Sequence, residues 1–362
     1  MDRDGAANVR AAQVVLPCND LHATLAFFTG LGFRVDAVFP ADDPSVAVLS
    51  GHGLCIRLQR GLDAAPGLLR LLCTDPAAVA GGATELTAPN GTRIQLAPAN
   101  PPVNRPPLQR SFVLSRIGGG ARWVEGRAGM RYRDLVPGRQ GGGFIASHIQ
   151  IPGGGPVPDY VHFHRVAFQM IYCAKGWVRV VYEDQGPPFV LSAGDCALQP
   201  PEIRHRVLEC SPGLEVIEVG SPADHETFAD HDRALPTSAV RPDREFGDQR
   251  FVRHEAAIAT WAPWRVDGFE ARDLGIASAT KGAAGAWVLR AREARPGQAR
   301  ARSHDAQILF AYVLRGEATL RREDGPGERI GEGDAFVIPP DLPYAVEDCA
   351  KGLELLQVTL PA

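Results

Sequence analysis

The sequence predicts a mainly β protein: two β-barrels in tandem, preceded by a small α+β module. Three observations predict it. Gly129-Met-Arg-Tyr-Arg-Asp-Leu135 returns 139 residues later as Gly268-Phe-Glu-Ala-Arg-Asp-Leu274, and further landmarks return in the same register. Within each copy, short apolar or alternating runs are separated by Gly/Pro turns, which is the pattern of an all-β sandwich or barrel. The first hundred residues differ, because a segment with helical spacing of its apolar residues stands there among strand-like runs.

Taken in order, Ala12 to Leu16 is expected to be a strand. Leu21 to Gly30 carries apolar residues at helical spacing, opened by Asn19-Asp20 as a cap and closed by Gly30. Strands follow at Arg34 to Phe39, Val46 to Leu49 and Leu54 to Leu58, giving β-α-β-β-β, and a shorter second round runs from Leu68 to Ala97. This module is assigned to residues 11–100. The prolines of Ala99-Asn-Pro-Pro-Val-Asn-Arg-Pro-Pro107 stiffen the chain and open a linker over 101–125.

The first barrel is assigned to 126–231, with strands expected at Gly143 to Ile151, Phe168 to Tyr172, Trp177 to Tyr182, Cys196 to Leu198 and Leu214 to Val219. A second linker covers 232–262 and the second barrel 263–362. His164 to Gly176 matches His304 to Gly316, and Gly194-Asp195 with Pro200-Pro201 matches Gly333-Asp334 with Pro339-Pro340. A period of about 140 residues is too long for a solenoid and reads as a duplicated domain.

Composition narrows the function classes. The 362 residues carry 38 Lys+Arg against 42 Asp+Glu, a net charge of −4 with no long basic run. That leaves no electrostatic footprint for a phosphate backbone, so nucleic acid is excluded as a partner. No apolar stretch approaches the ~18 residues that span a bilayer. The opening stretch from Met1 to Ala12 is charged at Asp2, Arg3, Asp4 and Arg10, without the apolar core of a signal peptide. The expectation is a soluble, cytoplasmic protein acting on a small molecule. The 39 glycines and 30 prolines demand frequent turns, and the seven cysteines are widely spread without a CxxC pair, which fits reduced thiols.

The N-terminal pattern, Leu16-Pro-Cys-Asn-Asp-Leu21 leading into Ala26-Phe-Phe-Thr-Gly-Leu-Gly-Phe33 and closing at Pro89-Asn-Gly-Thr-Arg-Ile-Gln-Leu96, resembles the vicinal-oxygen-chelate family of glyoxalases, bleomycin-resistance proteins and extradiol dioxygenases. In metal-binding relatives a His on the first strand and a Glu on the last help to hold an ion. Gln13 and Gln95 stand at those positions here, and the second round is shortened. The module is therefore expected to serve packing or dimerisation.

Gly155-Pro-Val-Pro-Asp-Tyr-Val-His-Phe-His164, followed by Gln169 and Gly176, resembles the first motif of the cupin family, and Gly194-Asp-Cys-Ala-Leu-Gln-Pro-Pro-Glu-Ile-Arg-His205 resembles the second. The resemblance implies a bicupin, with jelly-roll barrels. His162 and His164 alternate on a strand and so project from one face. The resemblance adds His205 as the last metal ligand. Imidazole is a borderline donor suited to one divalent transition metal, with Fe(II) first and Mn, Ni, Cu or Zn as alternatives.

Gln169 stands where many cupins carry a Glu ligand. It is expected either to bind the ion or to orient a bound water or substrate oxygen, and as an amide it leaves the site neutral apart from the metal. Three-His cupins include dioxygenases. The resemblance therefore implies a metal-dependent oxidoreductase, a dioxygenase of a small anionic or enolisable substrate; a redox-neutral isomerase and a non-catalytic small-molecule-binding bicupin are the alternatives. Tyr160, Arg204 and Glu209 are the candidate acid/base groups near the site, with a solvated surface or barrel-rim position as the first expectation for each and a catalytic role as the alternative. His148 is the one further histidine expected to reach the cavity, while His22, His52, His225, His231 and His254 default to surface or structural roles.

In the second barrel Arg302, His304, Leu309 and Tyr344 stand at the ligand positions, a set that cannot hold a metal tightly but still offers polar groups to an anionic ligand. A structural role is expected there. Exposed barrel edges also suggest a homodimer.

Overall fold

The computed structural model describes residues 10–120, 122–297, 299–323 and 325–361. The charged opening stretch lies, up to residue 9, outside the described residues. The chain divides into two compact units, Met1–Pro102 and Val103–Ala362. No helix among the described residues is long and apolar enough to cross a membrane.

In the first unit, β1 (Val14–Pro17) leads into α1 (Leu21–Gly30), followed by β2 (Arg34–Phe39), β3 (Val46–Gly51) and β4 (Leu54–Gln59). Asp20 caps the helix: its carboxylate accepts the Ala23 N–H at 3.0 Å, satisfying one of the donors a helix start leaves open. Leu21, Thr24 and Phe28 form the buried face of the helix. The sheet order is β1-β4-β3-β2, with β1 parallel to β4. A second round, β5 (Leu68–Cys73), α2 (Pro76–Ala80), β6 (Glu85–Thr87) and β7 (Arg93–Pro98), makes a three-stranded sheet with β5 parallel to β7. Gln13 and Gln95 are both exposed.

The second unit is mainly β and is a duplicated cupin-like, jelly-roll sandwich. The first barrel has a seven-stranded and a six-stranded sheet; the second has a seven-stranded and a three-stranded sheet. Strand Phe168–Lys175 corresponds to Ile308–Arg315, and each carries an irregularity at the same place, between Cys173 and Lys175 and between Val313 and Arg315. Gly176 and Gly316, which follow these strands, have φ of +76° and +79°, and a side chain on Gly176 would lie 2.3 Å from Ser211 Oγ. Only glycine fits there.

Strand alternation decides what each face meets. Phe168, Met170 and Tyr172 join Ile308, Phe310 and Tyr312 in one core shared by the two barrels, while Cys173 and Val313 point into the separate barrel interiors. Full burial of a side chain such as Met170 or Phe310 contributes about 1.5–3 kcal/mol, so the shared core binds the two copies firmly.

The residues that repeat in sequence explain that joint. Buried Arg133 in the first copy donates to the carbonyl of Gly333 in the second, and Arg272 in the second donates to the carbonyl of Gly194 in the first at 3.2 Å. The stretches 101–125 and 232–262, expected to be linkers, carry strands that are exchanged between the copies. Val113–Ser115 pairs with Ala335–Ile338 of the second barrel, and Val252–His254 pairs with Cys196–Leu198 of the first. Asp195 Oδ1 accepts the Ala256 N–H at 2.8 Å and Asp334 Oδ1 the Ile117 N–H at 2.9 Å, so each Gly-Asp dyad braces the incoming strand. The reciprocity is that of an isologous dimer, here within one chain.

Candidate metal centre

His162 and His164 lie on the short strand His162–His164, and His162 is the direct partner of His205 in the antiparallel neighbour His205–Cys210. The three rings cluster at centroid separations of 4.2 Å (162 to 205), 5.2 Å (162 to 164) and 5.2 Å (164 to 205). One nitrogen from each lies within 4.8 Å of the others, the one such His/Cys/Asp/Glu group among the described residues.

Hydrogen bonds to the outer nitrogens orient the rings. His162 Nδ1–H donates to the Tyr160 carbonyl at 2.8 Å and His205 Nδ1–H to the Ile203 carbonyl at 3.0 Å. Carbonyl oxygens only accept, so each of these rings carries its proton on Nδ1 and presents the Nε2 lone pair. His164 Nδ1 meets Thr227 Oγ1 at 2.8 Å. Burial lowers the pKa of all three rings, and the neighbouring imidazoles add to the shift for His164 and His205. They are neutral at physiological pH. Three neutral, outwardly anchored imidazoles are the donor set a first-row divalent metal requires.

The histidines line a cavity of ≈ 400 Å³ whose wall is largely aliphatic, including Ile149, Ile151, Val178 and Val180. Two charged residues line it that the sequence reading did not select. Arg127 Nη2 lies 3.0 Å from His162 Nε2, and its other nitrogen pairs with buried Asp159, which also accepts the Val207 N–H at 2.9 Å. Glu218 lines the opposite chemistry: burial raises its pKa, against the pull of His225, Arg127 and Gln169. Glu218 was legible, since Leu214, Val216 and Glu218 share the inward face of Leu214–Ser221. Arg127 sits in an irregular turn that no periodicity marks.

Gln169 is buried and diagonal to Glu218 across the strand pair, since it faces Gly220 while Glu218 faces Ile171. Glu218 lines the cavity where Gln169 does not. The expected site without a charged side chain is therefore revised, because an acid and a guanidinium both line it. His225, expected to be surface or structural, also lines the cavity, 5.5 Å from the His164 ring. His148 does not reach it: the ring lies between Trp123 and Tyr312 at the joint between barrels and bonds Glu215 at 2.9 Å. Glu209 pairs with Arg179 at 2.7 Å and Arg204 with Asp230 at 3.1 Å, away from the cavity. Tyr160 is exposed beside His231.

In the second barrel Arg302 and Tyr344 form the backbone pair equivalent to His162 and His205. His304 Nε2 is spent on the Ile338 carbonyl at 3.0 Å.

The fold and site define a bicupin-like protein with a three-histidine centre in its first barrel. A family model described as Cupin domain matches residues 293–355, within the second barrel. Among solved structures, oxalate decarboxylase from Lactobacillus farciminis, in complex with formate, is similar at 14% identity over 72% of this chain and 88% of that one, with a TM-score of 0.51. A variant of the Bacillus subtilis oxalate decarboxylase is similar at 12% identity over 72% and 79%, also at 0.51. A further structure of the Bacillus subtilis enzyme, described for its Mn(II) centres, is similar at 13% identity over the same shares and at the same score. At these identities the likeness is one of fold. No curated protein matches by sequence.

Proposed function

We propose that the first barrel is the active site of a metal-dependent oxidoreductase, a dioxygenase of a small anionic or enolisable substrate. The convergence of His162, His164 and His205 on one face of a lined cavity carries this reading. Fe(II) is the first choice of ion, and Mn, Ni, Cu and Zn suit the same donors. A divalent ion held there supplies Lewis-acid polarisation and, if redox-active, dioxygen activation.

The remaining work belongs to this chain's residues. Arg127, held by Asp159 on one side and with Nη2 3.0 Å from His162 Nε2 on the other, places a positive charge in the cavity wall that attracts an anionic substrate. The aliphatic wall excludes water and strengthens that pairing. Glu218, whose pKa burial raises, is the acid–base group of the cavity wall.

Glu218 also favours a second reading, in which the metal polarises a carbonyl and Glu218 moves a proton, a redox-neutral isomerase or related activity. Dioxygen uptake by iron-loaded protein with a panel of small keto and hydroxy acids separates the two. Turnover that persists without dioxygen overturns the dioxygenase. Lack of retained metal leaves the non-catalytic binding protein.

We read the N-terminal unit as a shortened vicinal-oxygen-chelate-like module with a packing or dimerising role in a soluble homodimer. The order β1-β4-β3-β2 with β1 parallel to β4 supports it, and sedimentation of the full chain tests the dimer.

A further inference from the structure

The second barrel encloses its own cavity, of ≈ 280 Å³, close to the lower end of small-molecule sites. Relative to the first barrel its lining has changed in one chemical direction. Arg302 replaces His162, Tyr344 replaces His205, Leu309 replaces Gln169, and Gln357 stands on Glu354–Leu360 where Glu218 stands on Leu214–Ser221. Of the three histidines only His304 remains, with Nε2 bonded to the Ile338 carbonyl, and the acid has become an amide, so the charge left in the lining is cationic. Arg265 and Arg300 join Arg302 in the lining, and no Asp or Glu is among the described lining residues.

Two details point to a ligand. Gln357 lines the cavity, is only 5% exposed, and its Nε2 has no hydrogen-bond partner. A buried donor is costly to leave unpaired, and an acceptor within the cavity would satisfy it. Arg302 Nη1 is tied to the Arg265 carbonyl at 2.7 Å, which fixes the guanidinium at the mouth with its other nitrogens unspent. Burial raises the Tyr344 pKa while Arg265 and Arg302 pull it down, so the phenol keeps its proton close to both cations.

We propose that the second barrel is a metal-independent binding site for a small organic carboxylate with an apolar body, the carboxylate taken by Arg302, Tyr344 and the unpaired Nε2 of Gln357 and the body against Leu309, Phe336 and Leu355. The proposal is independent of the reaction assigned to the first barrel.

The test uses the full chain after chelator treatment, titrated calorimetrically with hexanoate, benzoate and phenylacetate and with their neutral amides. Trp264 lines the cavity, so its fluorescence gives a second readout. Saturable binding of at least one acid, with the amides inert, is expected. Arg302 is exposed, so Arg302→Gln spares the fold and should weaken binding about tenfold or more. Leu309→Phe, which fills the cavity, should abolish it. The proposal is overturned if no acid binds, if amides bind equally, if Arg302→Gln changes nothing, or if binding disappears on chelation or in His162→Ala.

Discussion

His162 faces His205 across an antiparallel strand pair, with ring centroids 4.2 Å apart. Directly opposed residues are the closest side-chain neighbours a sheet provides, so this pairing brings together two rings 43 positions apart in the chain. The same backbone register holds Arg302 against Tyr344 in the second copy. One scaffold position thus serves a metal-donor pair in one barrel and a cation with a phenol in the other.

Removing either member of the first pair should empty the centre. Protein purified with the wild-type sequence is expected to retain about one equivalent of a divalent transition metal, and His162→Ala or His205→Ala to lose most of it, because two imidazoles hold such an ion far less tightly than three. Elemental analysis checks this, with Arg302→Gln as a control that should retain the metal.

Arg127 and Glu218 should separate kinetically. Arg127→Gln removes a charge-assisted contact to an anionic substrate and is expected to raise KM about tenfold or more. Glu218→Gln keeps the shape of the wall but cannot exchange a proton, so kcat should fall by about two orders of magnitude or more. Steady-state kinetics of the two variants test the division; a KM effect from Glu218→Gln alone would argue against its acid–base role.

The shared core should be expensive to hollow. Phe310 is fully buried and its ring lies 5.9 Å from that of Phe144 in the other barrel. Phe310→Ala is expected to cost about 3–5 kcal/mol through lost burial and a residual cavity, read as a lower midpoint in urea unfolding.

The contact between Glu215 and His148 predicts an acid-sensitive contribution. The hydrogen bond from His148 holds the Glu215 carboxyl below its ordinary value of 4.5, although burial works the other way. A carboxyl whose folded pKa is depressed adds stability above its unfolded value and loses it as pH falls through the folded value. His148→Phe, filling the slot between Trp123 and Tyr312 without a donor, should therefore lower stability at neutral pH and flatten its decline below about pH 4.5. Urea midpoints measured across that range check the slope.

Much of this protein was written locally. Alternation marked His162 and His164 as one face, helical spacing and a carboxylate cap marked Leu21 to Gly30, and the 139-residue repeat marked a duplicated domain, because each depends on neighbours in the chain. His205 could be picked out only through the motif it resembles. What the repeated residues do was decided by tertiary structure: Arg133, Arg272 and the two Gly-Asp dyads serve the exchange of strands between copies, and nothing local says to which barrel Val113–Ser115 belongs. Arg127 reaches the histidines from an irregular turn, and His148 is turned away from them by pairing at the joint between barrels. Periodicity sets the face a side chain occupies; long-range packing alone sets what that face meets.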